Sequence, residues 1–137
     1  PASLVVLPGG KDPVSGRRLI QEAFERGVVF TAVAAANDEI AVGAMNELQD
    51  RGVRIPQDVS VAGIDNLSLC ENCRPALTSV HIEKRGMGSR AVEVLLHRIQ
   101  NPGACPETIL LATHLVPRGS SQAIALCQTP SHATRFL

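Results

Sequence analysis

The sequence predicts an α/β fold built on a doubly wound parallel sheet, and three observations carry that expectation. Short apolar runs open at residues 3, 31 and 59, a repeat of 28 residues. Between them lie two stretches with apolar residues at helical spacing, each bracketed by capping signals. The third run, Val59 to Ile64, is apolar and rich in β-branched residues, and it ends abruptly in Asp65 and Asn66. Strand, helix, strand, helix, strand at this period implies parallel strands joined by right-handed crossovers.

Ser3 to Leu7 reads as the first strand, followed by a turn through Pro8, Gly9, Gly10 and Lys11. Asp12 then supplies an N-cap and Pro13 the first helical position. Val14, Leu19, Ile20, Ala23 and Phe24 recur at helical spacing, and Arg26-Gly27 closes the helix. Thr31 to Ala36 is the second strand. Asn37-Asp38 caps a second helix, whose buried stripe is Ile40, Ala41, Ala44, Met45 and Leu48, and Gly52 ends it. Beyond Asp65 a short helix fits within residues 66–74, Pro75 breaks it, and Leu77 to Ile82 is a fourth strand. Lys84 to Gln100 is helical, with Met87, Ala91, Val94, Leu95 and Ile99 on one face. Asn101-Pro102-Gly103 stops it, and Thr108 to Pro117 holds a further strand or two. Periodicity fades from Ser120 onward.

Composition narrows the function. At 137 residues there is room for one domain with a real core. The 13 basic and 13 acidic residues cancel, which removes the usual cue for nucleic-acid binding by this stretch itself. No apolar run approaches membrane-spanning length, so a cytoplasmic protein with no membrane partner is expected. Without Trp or Tyr, and with three Phe, a binding site here must work mainly through polar groups. Cys70 and Cys73 form a CxxC that is open to a redox or half-zinc reading. It lacks a second pair at similar spacing and does not begin a helix directly after a strand, so reduced, part-buried thiols are expected and no metal or cofactor.

Three strand ends should deliver polar clusters to one edge of the sheet: Gly9-Gly10-Lys11, Asn37-Asp38 and Asp65-Asn66. In an open α/β sheet that edge is where ligands bind. For Asp38 the helix-capping role is the expected one. Enzyme chemistry is not supported: the P-loop spacing is absent after Gly10, no serine sits in a GxSxG elbow, and His81, His97 and His114 have no nucleophile or ligand partner nearby in sequence.

Three patterns coincide in order and spacing: Asn-Asp-x-x-Ala-x-Gly at Asn37 to Gly43, Pro-x-Asp-Val-Ser-Val-x-Gly at Pro56 to Gly63, and Pro-x-Leu-Thr at Pro75 to Thr78. Together they resemble the effector-binding core of the LacI/GalR transcriptional regulators, from about Ser15-Gly16 to about Arg118-Gly119. The resemblance implies a periplasmic-binding-protein-like type I fold of two lobes with a ligand between them, of which this chain is a part, mainly the second lobe. Residues 1–119 would be the C-terminal part of the effector-binding domain: about 1–80 in the second lobe and about 84–111 crossing into the first. Residues 120–137 would form a C-terminal tail. The resemblance further implies a ligand-sensing and dimerising role in a repressor, with operator DNA read by a helix-turn-helix head outside this chain. A solute-binding protein for sugar transport shares the fold and is the alternative.

Family ligand contacts carry over to Asn37 and Asp65. Lys11 stands where sugar-responsive members often place an aromatic platform, and Ile64 where Phe or Tyr is common. The expected effector is therefore a sugar or an anionic sugar derivative, with Lys11 paired to its charge. The family's dimer-forming face corresponds to Met45, Leu48, Leu67, Leu69 and Cys70, which implies a homodimer or higher oligomer.

Overall fold

The computed structural model describes residues 4–123. Eight elements follow one another: α1 (Pro13–Glu25), β1 (Ala32–Ala34), α2 (Asp38–Asp50), β2 (Ser60–Asp65), α3 (Leu69–Asn72), β3 (Thr78–Ile82), α4 (Lys84–Gln100) and β4 (Thr113–Val116). They form an α/β fold on one four-stranded sheet in the order β1-β2-β3-β4. The first three strands are parallel, with Ala32 opposite Ser60 and Ala62 opposite Thr78. β4 returns antiparallel, with Ser79 opposite Val116.

The capping signals act as the residues dictate. Asp12 accepts from the Ser15 amide at 2.9 Å and its hydroxyl at 3.1 Å, and Pro13 follows at the first helical position, where its missing N–H costs nothing. Gly27 and Gly52 take φ of +65° and +76° past the ends of α1 and α2, a conformation that favours glycine. The two helices touch backbone to backbone. A Cβ added at Gly43 would lie 1.9 Å from the Pro13 carbonyl oxygen, and one added at Gly16 would lie 2.2 Å from that of Ile40. Only glycine allows that approach, which seats α2 deep enough to cover β2. Its expected stripe of Ile40, Ala41, Ala44, Met45 and Leu48 is buried against Val59, Val61 and Leu77.

One charged seam runs along the helix pair. Glu47 is buried and takes bonds from Arg51 (2.8 Å), Gln21 (3.1 Å) and Arg17 (3.3 Å). The Arg51 guanidinium, followed by Gln21, outweighs burial and holds its carboxyl below the usual range. A buried acid is tolerated here because its oxygens are fully partnered.

Two expectations are corrected, the first strand and the start of the tail at Ser120. Over the described part of Ser3 to Leu7 no strand forms: Leu4 and Val6 are exposed, and among the described residues β1 is an outer strand with no neighbour on its far side. A lone extended segment has no ladder to hold it. The late strand is confined to Thr113–Val116. The apolar face of α4 is present but uncovered, with Met87 50%, Leu95 58% and Ile99 64% exposed. Ser120, expected to begin a tail, is instead buried. It donates to the Val61 carbonyl at 2.6 Å and accepts from the Thr78 amide at 2.8 Å, bridging β2 and β3. The rest of the expected tail, from residue 124, lies outside the described residues.

Candidate functional site

The carboxyl ends of β1 and β2 place Asn37 and Asp65 on the same edge of the sheet, as parallel pairing requires. Asn37 is the N-cap of α2. Its Oδ1 accepts from the Ile40 amide at 2.8 Å, and its Nδ2 donates to the Lys11 carbonyl at 2.9 Å. One amide hydrogen and one lone pair remain for another molecule. Lys11 arrives on an irregular loop, not on a strand end, and that bond ties it beside Asn37. Its side chain is exposed.

Asp65 closes β2 with φ of 109°, and Asn66 follows at φ of 50°. Two successive non-glycine residues at positive φ are costly and persist only where the surroundings over-determine them. Here they do. The Asn66 amide donates to Ser79 Oγ at 3.0 Å, the Leu67 amide donates to Asp38 Oδ2 at 2.7 Å, and Lys84 Nζ donates to the Asp65 carbonyl. The Asp65 carboxylate makes no hydrogen bond among the described residues, so its oxygens stay available at the sheet edge.

The hub of this corner is Asp38, a residue that sequence reasoning gave to helix capping. Asn37 performs the capping instead. Asp38 is fully buried, and its second oxygen accepts from Ser79 Oγ at 2.6 Å. Both carboxylate oxygens are therefore spent on the loop after β2 and on β3. Gly63 makes the space: a Cβ there would lie 2.4 Å from Asp38 Oδ1. Asp38 thus links Asn37, its chain neighbour, to the corner bearing Asp65. Ser79, Arg118 and His81 were likewise missed as site-shaping residues. The one sequence signal was Gly63 itself, a glycine within a β-branched strand, which marks close approach of another group.

The expected dimer-forming set divides. Met45, Leu48 and Cys70 are 2%, 0% and 0% exposed and belong to the core of this chain. They have no surface left to offer a second copy, so their place in that set is corrected. On α2 and α3 these side chains pack into the core cluster, not toward solvent. Leu67 and Leu69 are half-buried and keep exposed area. Burial pushes the Cys70 thiol up to about 12, and Cys73, also raised by burial, donates to the Leu69 carbonyl at 3.2 Å. Neither is poised as a thiolate nucleophile. Among the described residues no group of three or more His, Cys, Asp or Glu could hold a metal ion, and no helix is long and apolar enough to cross a membrane.

The carboxyl edge of the parallel sheet thus carries a cap asparagine and an acid with free oxygens, on a corner tied down by hydrogen bonds. Residues 8–121 match the periplasmic binding protein-like domain, and the chain belongs to that family. Its relatives are LacI-family repressors. The PurR transcriptional repressor of Vibrio atlanticus is 51% identical over 71 residues, covering 52% of this chain and 21% of that protein. Among solved structures, the Enterococcus faecium LacI family regulator with bound ribose aligns with TM-score 0.74 and 32% identity, covering 86% of this chain and 43% of that one. The lac repressor dimer bound to operator and the anti-inducer ONPF aligns with TM-score 0.77 and 31% identity, covering 84% and 40%. The chain thus spans about a fifth of that curated relative and about two fifths of these structures.

Proposed function

We propose that this chain is the ligand-sensing region of a LacI-type transcriptional repressor. In this reading a small metabolite binds at the edge formed by Asn37, Asp65 and Lys11. Closure of the lobes around it then alters operator binding by a DNA-binding head outside these residues. The chain acts as a regulator in the cytoplasm and not as an enzyme. The observation that carries the reading is the Asp65 corner: two strained residues held by Asp38, Ser79 and Lys84, with the Asp65 carboxylate left unspent. A binding protein stores strain where it must fix an acceptor in space before its ligand arrives.

Asp65 and Asn37 together offer acceptors and one donor, which suits sugar hydroxyls or ring N–H groups. Lys11 adds a cation with a free end, and this favours an anionic sugar derivative. Two copies would meet through Leu67 and Leu69. Calorimetry of the intact protein with ribose, ribose 5-phosphate and a purine base tests the reading. Tighter binding of the phosphorylated sugar, lost in Lys11→Ala, is expected. Equal affinity for both sugars, unchanged in Lys11→Ala, would contradict the role given to Lys11. Sedimentation showing only monomer would contradict the dimer.

A further inference from the structure

Arg118 can only donate hydrogen bonds, and this fixes the polarity of a chain of side chains beside the Asp65 corner. Its Nη2 donates to Asn66 Oδ1 at 2.8 Å. The Asn66 Nδ2 therefore faces His81 Nδ1, at 3.2 Å. An amide NH2 has no lone pair to offer, so His81 Nδ1 must accept. The imidazole proton then sits on Nε2, which donates to Glu83 Oε1 at 2.8 Å. Neutral His81 in the Nε2–H tautomer satisfies every partner at once.

Protonation would not be absorbed quietly. The Glu83 bond survives, since Nε2 donates in both states, so the change falls on Nδ1. There the new N–H would point at the Asn66 amide hydrogens. Reversing Asn66 would relieve that clash but would turn its NH2 onto Arg118. Arg118 cannot readily follow, because its Nη1 donates to the Leu77 carbonyl and its backbone amide to Thr78 Oγ1, each at 2.8 Å. The other charged or titratable groups around His81 are Asp65, its register partner on β2, and His114, its partner on β4, whose ring lies tilted at 39° with centroids 4.9 Å apart. Lys84, at the start of α4, holds the Asp65 carbonyl.

We propose that Asn66 and His81 are positioning residues for Asp65: neutral His81 latches the Asn66 side chain and so holds the positive-φ corner, and protonated His81 releases it. The proposal rests on the reading of Asp65 as an effector contact, and deepens it by making that contact weaken in acid.

Nuclear magnetic resonance of the full chain with 15N-labelled histidine tests the latch without any ligand. The series runs from about pH 8 to about pH 5, the span in which histidines change charge. The Nε2–H tautomer is expected at the alkaline end, with the backbone amides of Asp65 and Asn66 shifting in step with His81. Asn66→Asp supplies a carboxylate that accepts from both Arg118 and an imidazolium, so His81 should keep its second proton to higher pH in that variant. An Nδ1–H tautomer, corner amides that ignore His81, or the same His81 titration in Asn66→Asp would overturn the latch. Calorimetry of the intact protein with ribose, which carries no titrating group in this range, reads the consequence. Affinity should fall about tenfold across the series, the equivalent of about 1.4 kcal/mol, and Asn66→Asp should not show that fall, because its carboxylate keeps hold of the protonated imidazole. A pH-independent affinity in the native protein would overturn the positioning role. Absence of ribose binding would count against ribose as effector, and the tautomer would still decide the latch.

Discussion

Two helices of this chain carry the same kind of apolar stripe and meet opposite fates. On α2 the stripe is buried: Ile40 8%, Ala41 0%, Ala44 2%, Met45 2% and Leu48 0% exposed. On α4 the corresponding residues stand in the open, Leu95 and Ile99 among them, and no residue of the helix is buried. α2 has β2 beneath it and α1 across it at a glycine contact. α4 leaves the sheet at Glu83 and returns only at β4. Periodicity states that a helix face needs cover. What supplies the cover is decided by the rest of the molecule. Among the described residues α2 finds its cover and α4 does not.

Substitutions in the two regions should differ accordingly, and denaturant unfolding of the 137-residue chain reads the difference. Leu48→Ala removes a fully buried side chain and should cost about 2–5 kcal/mol. Gly43→Ala forces α1 and α2 apart at the Pro13 carbonyl and should cost about 1–3 kcal/mol. Asp38→Ala strands the Leu67 amide and the Ser79 hydroxyl. It should cost about 1–3 kcal/mol, with the largest amide shifts at residues 65–67. By contrast Leu95→Ser on α4 should fall within about 0.5 kcal/mol, as exposed substitutions do. The same change should become costly in a longer protein that covers this face. A large loss in the 137-residue chain would break the comparison.

The smallest effect is electrostatic. Arg54 grips Asp58 through its side chain and its backbone amide, and holds that carboxyl down to about 2. A carboxyl depressed in the folded state adds stability that is present above its unfolded value, and loses it as pH falls through the folded one. Acid unfolding of Asp58→Asn should therefore show less destabilisation between about pH 4 and about pH 2 than the native chain. The pair is solvent-exposed, so the difference is modest.

Local chemistry explains how much of this was legible in the sequence. Asp12 before Pro13, Asn37 before a helical stripe, and Gly27 and Gly52 behind the C-cap residues Arg26 and Arg51 are signals that act within a few residues, and each glycine and cap appears where it was expected. The strand bearing Asp65 was equally legible, because a short β-branched run has few other uses. Partnership across long sequence separation was not. Nothing near Asp38 in the chain indicates that its carboxylate meets Leu67 and Ser79, or that Ser120 stitches β2 to β3. Nor does the spacing of Met45 and Leu48 say whether they face a second copy or β2. Burial decided that question in favour of the core, and the same logic left Leu4 and Val6 without a strand to join.

The most direct test of the account is the binding of ribose, ribose 5-phosphate and a purine base to the intact protein and to Asp65→Asn. Circular dichroism should confirm that both keep the same fold. The Asp65 corner as an effector contact predicts that at least one probe binds the native protein and loses tenfold or more in Asp65→Asn, about 1.4 kcal/mol or above. A probe held in the native site with equal affinity by both proteins would contradict it.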